Sequence, residues 1–434
     1  MILAIIIFAI SCLGGIAVAL AKPQLKLRTV TINTYWLVPL LGALALIFCN
    51  LISVAEIFSG LTAAAAINPI KILVLFLSMT VMSIFLDELG FFRWLANAVL
   101  KKAGTSQLKV FAAFFIFVTL VAIPTDNDIV ILTLTPFICY FTKAAGVNPI
   151  PYLISEFIAA NTISMMLLIG NPTNVYLAVS NGIHFMEYLS VMWLPAILAT
   201  VTAFAVLYLL FRKQLRKPIK PHVGHVEIKR KDLLIVSSTL LIISNVLLAI
   251  AHYIDIEMWL IASLSAVFMI TVVLCLCAVR KKAPIELKGT FKRVPWELIP
   301  FILSMFVIVS TLAKYDVTSI LGDALGSSNP ILVYGVASVL FANLVNNIPM
   351  SVLFSTILLG VGSAVSANGV YATIIGSNIG AFLTPLGALA GIMWLSIIKT
   401  NGIDFSFGRF LRYGVIIAPP VLAAALLGLY IVTF

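Results

Sequence analysis

Long, continuously apolar runs alternate with short polar segments along the whole chain. The runs lie at about 2–21, 35–57, 69–86, 107–123, 128–142, 150–180, 187–211, 233–251, 257–279, 296–313, 330–345, 348–366, 370–398 and 411–433. A helix of roughly 20 apolar residues crosses the hydrocarbon core of a bilayer, whereas the strands of a membrane barrel read as alternating segments of about ten residues. The pattern therefore predicts an all-α polytopic membrane protein.

Two pairs of runs are too short and too closely joined to be ordinary spans. Within 107–142 the separating segment is 124–128 (PTDND), and within 330–366 the runs meet at 346–349 (NNIP). Such short polar junctions predict re-entrant helical hairpins, which enter the membrane and return to the same side. The tip of a re-entrant hairpin is stable only where protein or a water-filled cavity satisfies its backbone.

Two other runs, 150–180 and 370–398, are long enough to span the membrane but contain helix-breaking residues. The first is interrupted within 161–174, which ends in GNPTN, and the second within 378–387, which ends in TPLG. Asparagine, glycine and proline at this density disfavour a continuous helix. We therefore predict a broken transmembrane helix in each run.

The chain divides into two halves of the same design, and short echoes such as NGIHF at 181–185 and NGIDF at 401–405 support the repeat. The predicted units are a first repeat 1–211 (spans 2–21, 35–57 and 69–86, hairpin 107–142, broken helix 150–180, span 187–211), a basic cytoplasmic linker 212–231, and a second repeat 232–434 (hairpin 330–366, broken helix 370–398). Because a hairpin adds no crossing, each half crosses the membrane an odd number of times. The second repeat is then inverted, an arrangement typical of secondary transporters.

Composition and charge agree with a membrane protein and set its orientation. The chain is 62% hydrophobic and 10% charged, whereas soluble domains carry about 25% charged residues. The net charge of +11 lies mainly in short loops, where it orients the chain rather than binding nucleic acid. With the amino terminus outside, every Lys and Arg except Lys71 and Lys314 falls on the cytoplasmic side. This predicts a multi-pass protein of the plasma or inner membrane with basic cytoplasmic loops.

Several other classes of protein are disfavoured by what the chain contains. The segment 1–21 ends in Ala-Leu-Ala but lacks a positive region before it, so we expect a retained first span rather than a signal peptide. The five cysteines lie inside apolar runs, and His222 and His225 lie in the basic linker, so neither a disulfide framework nor a metal site is expected. No cofactor is expected either. Because the sequence has no phosphate-binding loop and no clustered nucleophile and base, it does not predict an enzyme.

Three acids are candidates for ion coupling, because ionisable groups within a membrane are costly and mark transport pathways. Asp126 and Asp128 lie at the first predicted hairpin tip, and Glu156 lies on the first broken helix. Neighbouring carboxylates, amides and hydroxyls can bind a hard cation or exchange a proton. The alternatives are a solvated turn with Asp128 as a helix N-cap, and Glu156 as a first-turn charge at the cytoplasmic interface.

Amides and hydroxyls cluster at the same four interruptions and are the candidates for substrate binding. Together with helix N-termini, such groups stabilise an anion or a polar neutral solute. The alternative is that these residues only pack membrane helices together. The predicted binding residues are Asn127, Asn161, Thr162, Asn171, Thr173, Asn174, Asn346, Asn347, Asn378, Thr384 and Gly387.

Several motifs resemble those of the arsenical pump membrane protein family. They are LDELGFF at 86–92, ND at 127–128 with LTLTP at 132–136, NNIP at 346–349 and TPLG at 384–387. The GNPTN segment is similar to a motif of the wider ion transporter superfamily, which includes sodium/proton antiporters and sodium-coupled dicarboxylate carriers. The resemblance covers nearly the whole chain. It implies a scaffold domain and a mobile transport domain that holds the hairpins and broken helices.

The resemblance also implies export of arsenite or antimonite in exchange for protons, alone or with a partner ATPase. Arsenite is a neutral trihydroxide near neutral pH, so a site rich in amides and hydroxyls suits it. Some arsenical pumps carry aspartates where this chain has Asn161 and Asn378. That difference leaves Asp126, Asp128 or Glu156 to carry the coupling.

The sequence thus predicts a secondary active transporter of a small inorganic solute in the lipid bilayer, with arsenite or antimonite efflux coupled to protons as the leading function. The rivals are a sodium/proton antiporter, a sodium-coupled transporter of a dicarboxylate or oxyanion, and a passive channel. The coupling ion, H⁺ or Na⁺, a separate ATPase subunit and a homodimer are left open.

Overall fold

The computed structural model describes residues 1–22, 24–27, 30–62, 68–218, 228, 230–326, 328–361 and 363–434. The middle of the predicted basic linker, residues 219–227 and 229, lies outside the described residues, and with it His222 and His225.

The described chain is helical except for a two-stranded antiparallel hairpin. In the first half the elements are α1 (Ile2–Ala21), β1 (Gln24–Leu27), β2 (Val30–Asn33), α2 (Leu37–Phe48), α3 (Val54–Thr62), α4 (Pro69–Glu88), α5 (Phe91–Ala103), α6 (Gln107–Ala122), α7 (Asn127–Ala145), α8 (Ile150–Ile163), α9 (Pro172–Ser180) and α10 (Phe185–Leu215). In the second half they are α11 (Lys231–Ile250), α12 (Met258–Val279), α13 (Ile285–Arg293), α14 (Leu298–Lys314), α15 (Val317–Leu325), α16 (Pro330–Val345), α17 (Asn347–Gly360), α18 (Ser363–Gly380), α19 (Leu389–Thr400) and α20 (Phe407–Thr433).

The helical membrane fold predicted from the apolar runs is confirmed. Within the described ranges, seven helical stretches are long and apolar enough to cross a membrane: α1, α4, α10, the stretch Lys231–Ile254 that includes α11, α12, the stretch Ile285–Lys314 and α20. Their outward faces remain apolar, as the exposed side chains of Ile235 and Val267 illustrate. Such faces are stable against lipid rather than against water. The inverted orientation of the two halves stays a prediction.

Two features of the first half differ from the sequence prediction. The segment 35–57, expected as one span, contains α2 and the start of α3, because the chain turns at Asn50 (φ +54°). The Ser53 backbone N–H and hydroxyl then donate to the Glu56 carboxylate at 2.7 and 2.8 Å and cap α3. The second difference is the β1–β2 strand pair, which the sequence did not predict. In it, Gln24 pairs with Asn33 and Leu27 with Val30.

Both predicted hairpins are pairs of apolar helices joined by a very short tip. The first consists of α6 and α7, and the second of α16 and α17. In each, the polar tip residue is also the N-cap of the second helix, Asp126 in one and Asn346 in the other. The re-entry of both hairpins into the membrane stays a prediction.

Both predicted broken helices are interrupted in the structure. After α8 the chain makes two short 3-10 turns, Ser164–Met166 and Leu168–Gly170, before α9, while α18 ends at Gly380 and α19 begins at Leu389. The residue before each second helix is extended, with φ −155° at Asn171 and −150° at Ala388. The two interruptions therefore share a local geometry as well as a place in the order of elements.

A glycine is required at each interruption by the close approach of the backbone to itself. A Cβ added at Gly170 would lie 2.2 Å from the Ser164 carbonyl oxygen, and one at Gly387 would lie 2.2 Å from that of Gly380. No side chain fits at these distances, so both positions admit only glycine without a shift of the chain.

The repeated sequence NGI at 181–183 and 401–403 adopts the same backbone conformation in both halves. Gly182 (φ +73°) and Gly402 (φ +78°) follow the ends of α9 and α19 in the left-handed conformation. The next N–H reaches back into each helix, from Ile183 to the Ala178 carbonyl at 2.9 Å and from Ile403 to the Ile398 carbonyl at 3.0 Å. This is the glycine-terminated helix end that satisfies otherwise unpaired carbonyls.

The two halves interlock through their hairpins and broken helices. The second limb of the first hairpin, α7, packs against α19, and the second limb of the other hairpin, α17, packs against α9. The long helices α10 and α20 pack along one another, and each first limb contacts the first part of its own broken helix. We call α6–α10 and α16–α20 the central bundle, and α1, α2, α4 and α11–α14 the flanking helices.

We predict that Gly170→Ala and Gly387→Ala each destabilise the protein by roughly 1–3 kcal/mol, because the added methyl overlaps a backbone carbonyl and the interruption must shift. Gly360→Ala and Gly408→Ala are matched controls, since a Cβ at either position meets no atom within 4 Å. Thermal denaturation of the purified variants in detergent measures the difference. Equal midpoints for test and control variants would contradict the close approach.

Candidate functional site

The first hairpin tip is fixed by Asp126 and Asn127. Asp126 is the N-cap of α7, and its Oδ1 accepts the Asp128 backbone N–H at 2.7 Å. The alternative in which Asp128 caps the helix is therefore wrong, and Asp128 lies in the first turn, where the helix N-terminus favours a negative charge. Asn127 is buried, and its Nδ2 donates to Oδ1 of Asn161 in α8 at 2.9 Å.

The second hairpin tip is fixed by Asn346 and Asn347. Asn346 has a positive φ of 76°, and its Nδ2 donates to the Leu386 carbonyl at 3.0 Å. The Asn347 backbone N–H donates to the Gly387 carbonyl at 3.1 Å. Both bonds tie the tip of the second hairpin to the interruption of the second broken helix.

The two broken helices meet at Asn378, whose side chain is fully buried. Its Oδ1 accepts from Asn171 Nδ2 at 3.0 Å and from Ser164 Oγ at 3.2 Å, while its Nδ2 donates to Asn174 Oδ1 at 2.7 Å. Next to this contact, the Ser377 hydroxyl donates to Thr173 Oγ1 at 3.0 Å. The bonds join residues more than 200 positions apart in the chain and make the amides one network.

Backbone groups freed by the first interruption are paired by side chains. Asn174 Nδ2 donates to the carbonyls of Ser164 and Leu167 at 2.9 and 3.2 Å. The hydroxyl of Tyr188, on α10, donates to the Met165 carbonyl at 2.8 Å.

The second interruption is paired in a similar way by Asn343. Its Oδ1 accepts the Thr384 backbone N–H at 3.0 Å and the Thr384 hydroxyl at 2.6 Å, and its Nδ2 donates to the Gly380 carbonyl at 3.0 Å. Asn343 belongs to the first limb of the second hairpin. This hairpin is therefore hydrogen-bonded to its own broken helix both through that limb and through its tip.

The four polar interruptions are therefore linked in pairs: each hairpin is bonded to its own broken helix, and the two broken helices are bonded to each other at Asn378. Thr162, a predicted binding residue, is the exception, because its hydroxyl donates to the Ile158 carbonyl within α8 at 2.9 Å. We call the joined groups the polar centre; it comprises Asn127, Asn161, Ser164, Asn171, Thr173, Asn174, Asn343, Asn346, Asn347, Ser377, Asn378, Thr384 and Gly387. No lysine or arginine of the described chain hydrogen-bonds to a side chain of this set.

A cavity of about 240 Å³ lies against the first hairpin tip. Its walls include Asp126, Asp128 and Thr80, together with Arg293 and Glu297. Two buried oxygens of these walls, Asp126 Oδ2 and Thr80 Oγ1, have no hydrogen-bond partner in the part of the chain that the structure describes. Because buried polar atoms are rarely left unpaired, these oxygens are the groups with capacity for a bound solute or for water.

The neighbouring tip residue Asn127 has a further unpaired oxygen. Its Oδ1 is buried and has no hydrogen-bond partner among the described residues, although its Nδ2 donates to Asn161 Oδ1. The first tip thus presents unpaired oxygens from both Asp126 and Asn127.

Arg293 lies at the cavity wall and is already paired. Its guanidinium contacts Asp87 at 2.6 Å and Glu88 at 2.8 Å. The buried Asp87 also accepts the hydroxyl of Thr133, from α7, at 2.7 Å. Because two carboxylates neutralise the guanidinium, Arg293 brings little free positive charge to the cavity and instead joins α13, α4 and α7.

Glu156 is completely buried in the middle of α8. The alternative of a solvent-facing first-turn charge is therefore wrong. Its carboxylate accepts the Thr135 hydroxyl at 2.9 Å and lies 3.4 Å from Trp394 Nε1. No basic side chain of the described residues pairs with it. Glu156 lies about 7.5 Å along the helix axis from Asn161, close to the polar centre but outside its hydrogen bonds.

Sequence reasoning missed several partners of the predicted residues. Ser164 and Ser377 flank predicted asparagines, and that proximity was a usable signal. Trp394 and Tyr188 carry no local signal, because each meets its partner only through packing of distant helices. The pairing of Arg293 with Asp87 was likewise invisible in the sequence.

Comparison with protein families finds a match over most of the chain. A family model described as citrate transporter matches residues 30–373. The arsenical pump membrane protein of Escherichia coli (strain K12) is 27% identical over 371 residues, covering 82% of this chain and 84% of that protein. The putative arsenical pump membrane protein of Bacillus subtilis (strain 168) is 26% identical over 423 residues, covering 90% of this chain and 92% of that protein.

Two solved structures share the fold. The YdaH transporter of Alcanivorax borkumensis aligns over 99% of this chain and 98% of its own, with a TM-score of 0.58 at 14% identity. MtrF of Neisseria gonorrhoeae, described as one of a class of antimetabolite efflux pumps, covers 99% of this chain and 94% of its own, with a TM-score of 0.51 at 14% identity. At this identity the likeness concerns the fold alone.

We predict that Asn378→Asp destabilises the protein at neutral pH, because a carboxylate oxygen then faces Asn174 Oδ1 and the Ile374 carbonyl where Nδ2 now donates. Leaving such buried groups unpaired costs roughly 1–3 kcal/mol each. Acidic pH should restore part of the loss, since a protonated carboxyl can donate to one acceptor. Thermal midpoints across pH measure both effects.

The matched control is Asn401→Asp, at an exposed turn where the amide donates to the Ile397 carbonyl and water can take its place. An Asn378→Asp midpoint as high as that of this control at neutral pH would contradict the assigned hydrogen bonds.

Proposed function

Because the chain belongs to the citrate transporter family, it is a multi-pass membrane transporter and not an enzyme, and we propose that it exports arsenite or antimonite in exchange for protons. The arsenical pumps among its relatives, similar over more than four fifths of this chain, support this cargo. The chemistry of the polar centre supports it independently.

The observation that carries the proposal is a polar centre of amides and hydroxyls, without a basic side chain, beside the carboxylates of Asp126 and Asp128. A multiply charged anion such as citrate meets repulsion from these carboxylates. Of the two basic residues at the cavity, Arg293 is already neutralised by Asp87 and Glu88, which leaves Lys292 alone against two carboxylates. A small neutral trihydroxide has no such penalty and can donate to carboxylate and amide oxygens. The unpaired Oδ2 of Asp126 and Oδ1 of Asn127 are acceptors of this kind.

Coupling follows from competition at the first tip. When Asp126 or Asp128 takes up a proton, its capacity to accept hydrogen bonds from the cargo falls. When the proton leaves, that capacity returns. Proton and cargo therefore bind in alternation, which is the requirement for exchange. Glu156 is the third candidate acid, because it touches hairpin limb α7 through Thr135 and α19 through Trp394.

Transport itself requires that the polar centre faces each side in turn. We assign this to movement of the central bundle against the flanking helices, which meet along α4 and α14. The cavity beside Asp128 reaches Lys292 and Arg293, which the charge pattern assigns to the cytoplasmic side. The conformation described here is accordingly the one that takes up cargo from the cytoplasm.

We expect proteoliposomes of the purified chain with an acidic lumen to accumulate external arsenite above its equilibrium level, because outward proton flow drives the exchange. No sodium and no ATPase subunit should be needed. Asp128→Asn should abolish the accumulation, whereas Asp404→Asn, a change at an exposed acid, should leave it intact. Arsenic retained in the vesicles, measured by mass spectrometry, is the readout.

Each rival predicts a different result in the same preparation. A requirement for sodium, or uptake of citrate or an oxyanion in place of arsenite, would replace the proposed cargo or coupling ion. Equilibration without accumulation would indicate a channel. Full accumulation by Asp128→Asn would remove this residue from the coupling.

A second variant separates coupling from packing at Glu156. We expect Glu156→Gln to flatten the pH dependence of arsenite flux, because the neutral amide cannot exchange a proton although it still fits between Thr135 and Trp394. Glu156→Leu should in addition lower the thermal midpoint, since the Thr135 hydroxyl and Trp394 N–H lose their acceptor. An unaltered pH profile for Glu156→Gln would assign the residue to packing alone.

A further inference from the structure

A groove of about 1040 Å³ lies between the first hairpin and the flanking helices, separate from the cavity beside Asp128. Its walls are formed by α5 and α6 on one side and α4 and α11 on the other. The lining side chains are mostly apolar, and those on the open side, such as Ile116, Leu120, Ile242 and Val246, are more than half exposed. In a membrane protein this groove opens towards lipid.

The two ends of the groove differ in chemistry. Lys102 and Lys109 lie at one end, Pro124 and Thr125 of the hairpin tip lie at the other, and no carboxylate of the described residues lines the groove. From Lys109 to Ala122, where α6 ends, the helical rise is about 20 Å, close to the ~20–22 Å depth of one bilayer leaflet with its headgroups. The groove therefore has the length of one lipid and a positive charge where its headgroup would lie.

The two lysines differ from Lys71 and Lys314, the lysines that form ion pairs within the described residues. Lys71 pairs with Glu257 and Lys314 with Glu56, whereas neither Lys102 nor Lys109 forms an ion pair with a described residue. Unpaired cations at the interfacial end of an apolar groove between helices attract anionic lipid headgroups.

We propose that this groove is a binding site for one anionic phospholipid, with its headgroup on Lys102 and Lys109 and its acyl chains along α6 towards the hairpin tip. The lipid contacts the hairpin on one side and α11 on the other. Its fluid acyl chains fill the gap between the central bundle and α11, and they adapt when the bundle moves against that helix. This site does not depend on the identity of the transported cargo.

Native mass spectrometry of the purified protein, titrated with palmitoyl-oleoyl phosphatidylglycerol or phosphatidylcholine, tests the proposal. We expect one copy of phosphatidylglycerol to bind more tightly than any copy of phosphatidylcholine. The double variant Lys102→Gln with Lys109→Gln should weaken phosphatidylglycerol binding by roughly fivefold per lysine. Its affinity for phosphatidylcholine should stay unchanged. Arg93→Gln with Lys101→Gln is the matched control, since it removes two charges from α5 that do not line the groove.

The role of the acyl chains is tested with dioctanoyl phosphatidylglycerol and with Ala113→Trp, which places a large side chain in the groove. Both should reduce binding even though the lysines remain. Equal affinity of the wild-type protein for the two headgroups, equal loss in the test and control pairs, or full binding of the short-chain lipid would each overturn the proposal.

Discussion

Backbone pairing inside an apolar bundle is the constraint on which the rest of this structure depends. Two helices are interrupted where the protein is most deeply buried, and an unpaired peptide group there costs several kcal/mol. Asn174 and Tyr188 pair the carbonyls of the first interruption, and Asn343 and Asn346 pair those of the second. The second hairpin must end where it does because Asn346 and Asn347 at its tip donate to the Leu386 and Gly387 carbonyls of the second interruption.

The same constraint explains why so few polar atoms remain for a cargo. Most amides of the polar centre are occupied by each other or by the backbone, as Asn378 is by three neighbouring side chains. Unpaired oxygens at the first tip belong to Asp126 and Asn127. Each of these two residues therefore holds the fold with one polar atom and leaves the other for a solute.

The two halves share geometry but not charge. At the tips, Asp126 and Asp128 of the first half correspond to Asn346 and Ile348 of the second, at the same places relative to the N-caps. Glu156, five residues before Asn161, corresponds in the same way to Thr373 before Asn378. All three candidate coupling acids thus belong to one half, and the corresponding positions of the other half are neutral. Proton exchange, as proposed, is then a property of the first hairpin and its broken helix.

The sequence reveals those features that depend on local composition. The polar junctions at 124–128 and 346–349 located both tips, and GNPTN and TPLG located both interruptions. It could not show that Glu156 is buried or that Trp394 contacts it, because burial and contact depend on helices far apart in the chain. The split of 35–57 into two helices was also missed, since it follows from the turn at Asn50 and a cap by Ser53 within an otherwise apolar run.

Reciprocal packing limits how this protein can change conformation. Since α7 contacts α19 and α17 contacts α9, neither hairpin can shift without carrying the broken helix of the other half. Within the bundle, moreover, the buried bonds of Asn378 join both broken helices. At its boundary, by contrast, the contacts include exchangeable polar ones, such as Thr133 with Asp87, and the stacked rings of His184 and His252, 4.1 Å apart. We therefore expect displacement to cost least along that boundary, with the central bundle moving as one body.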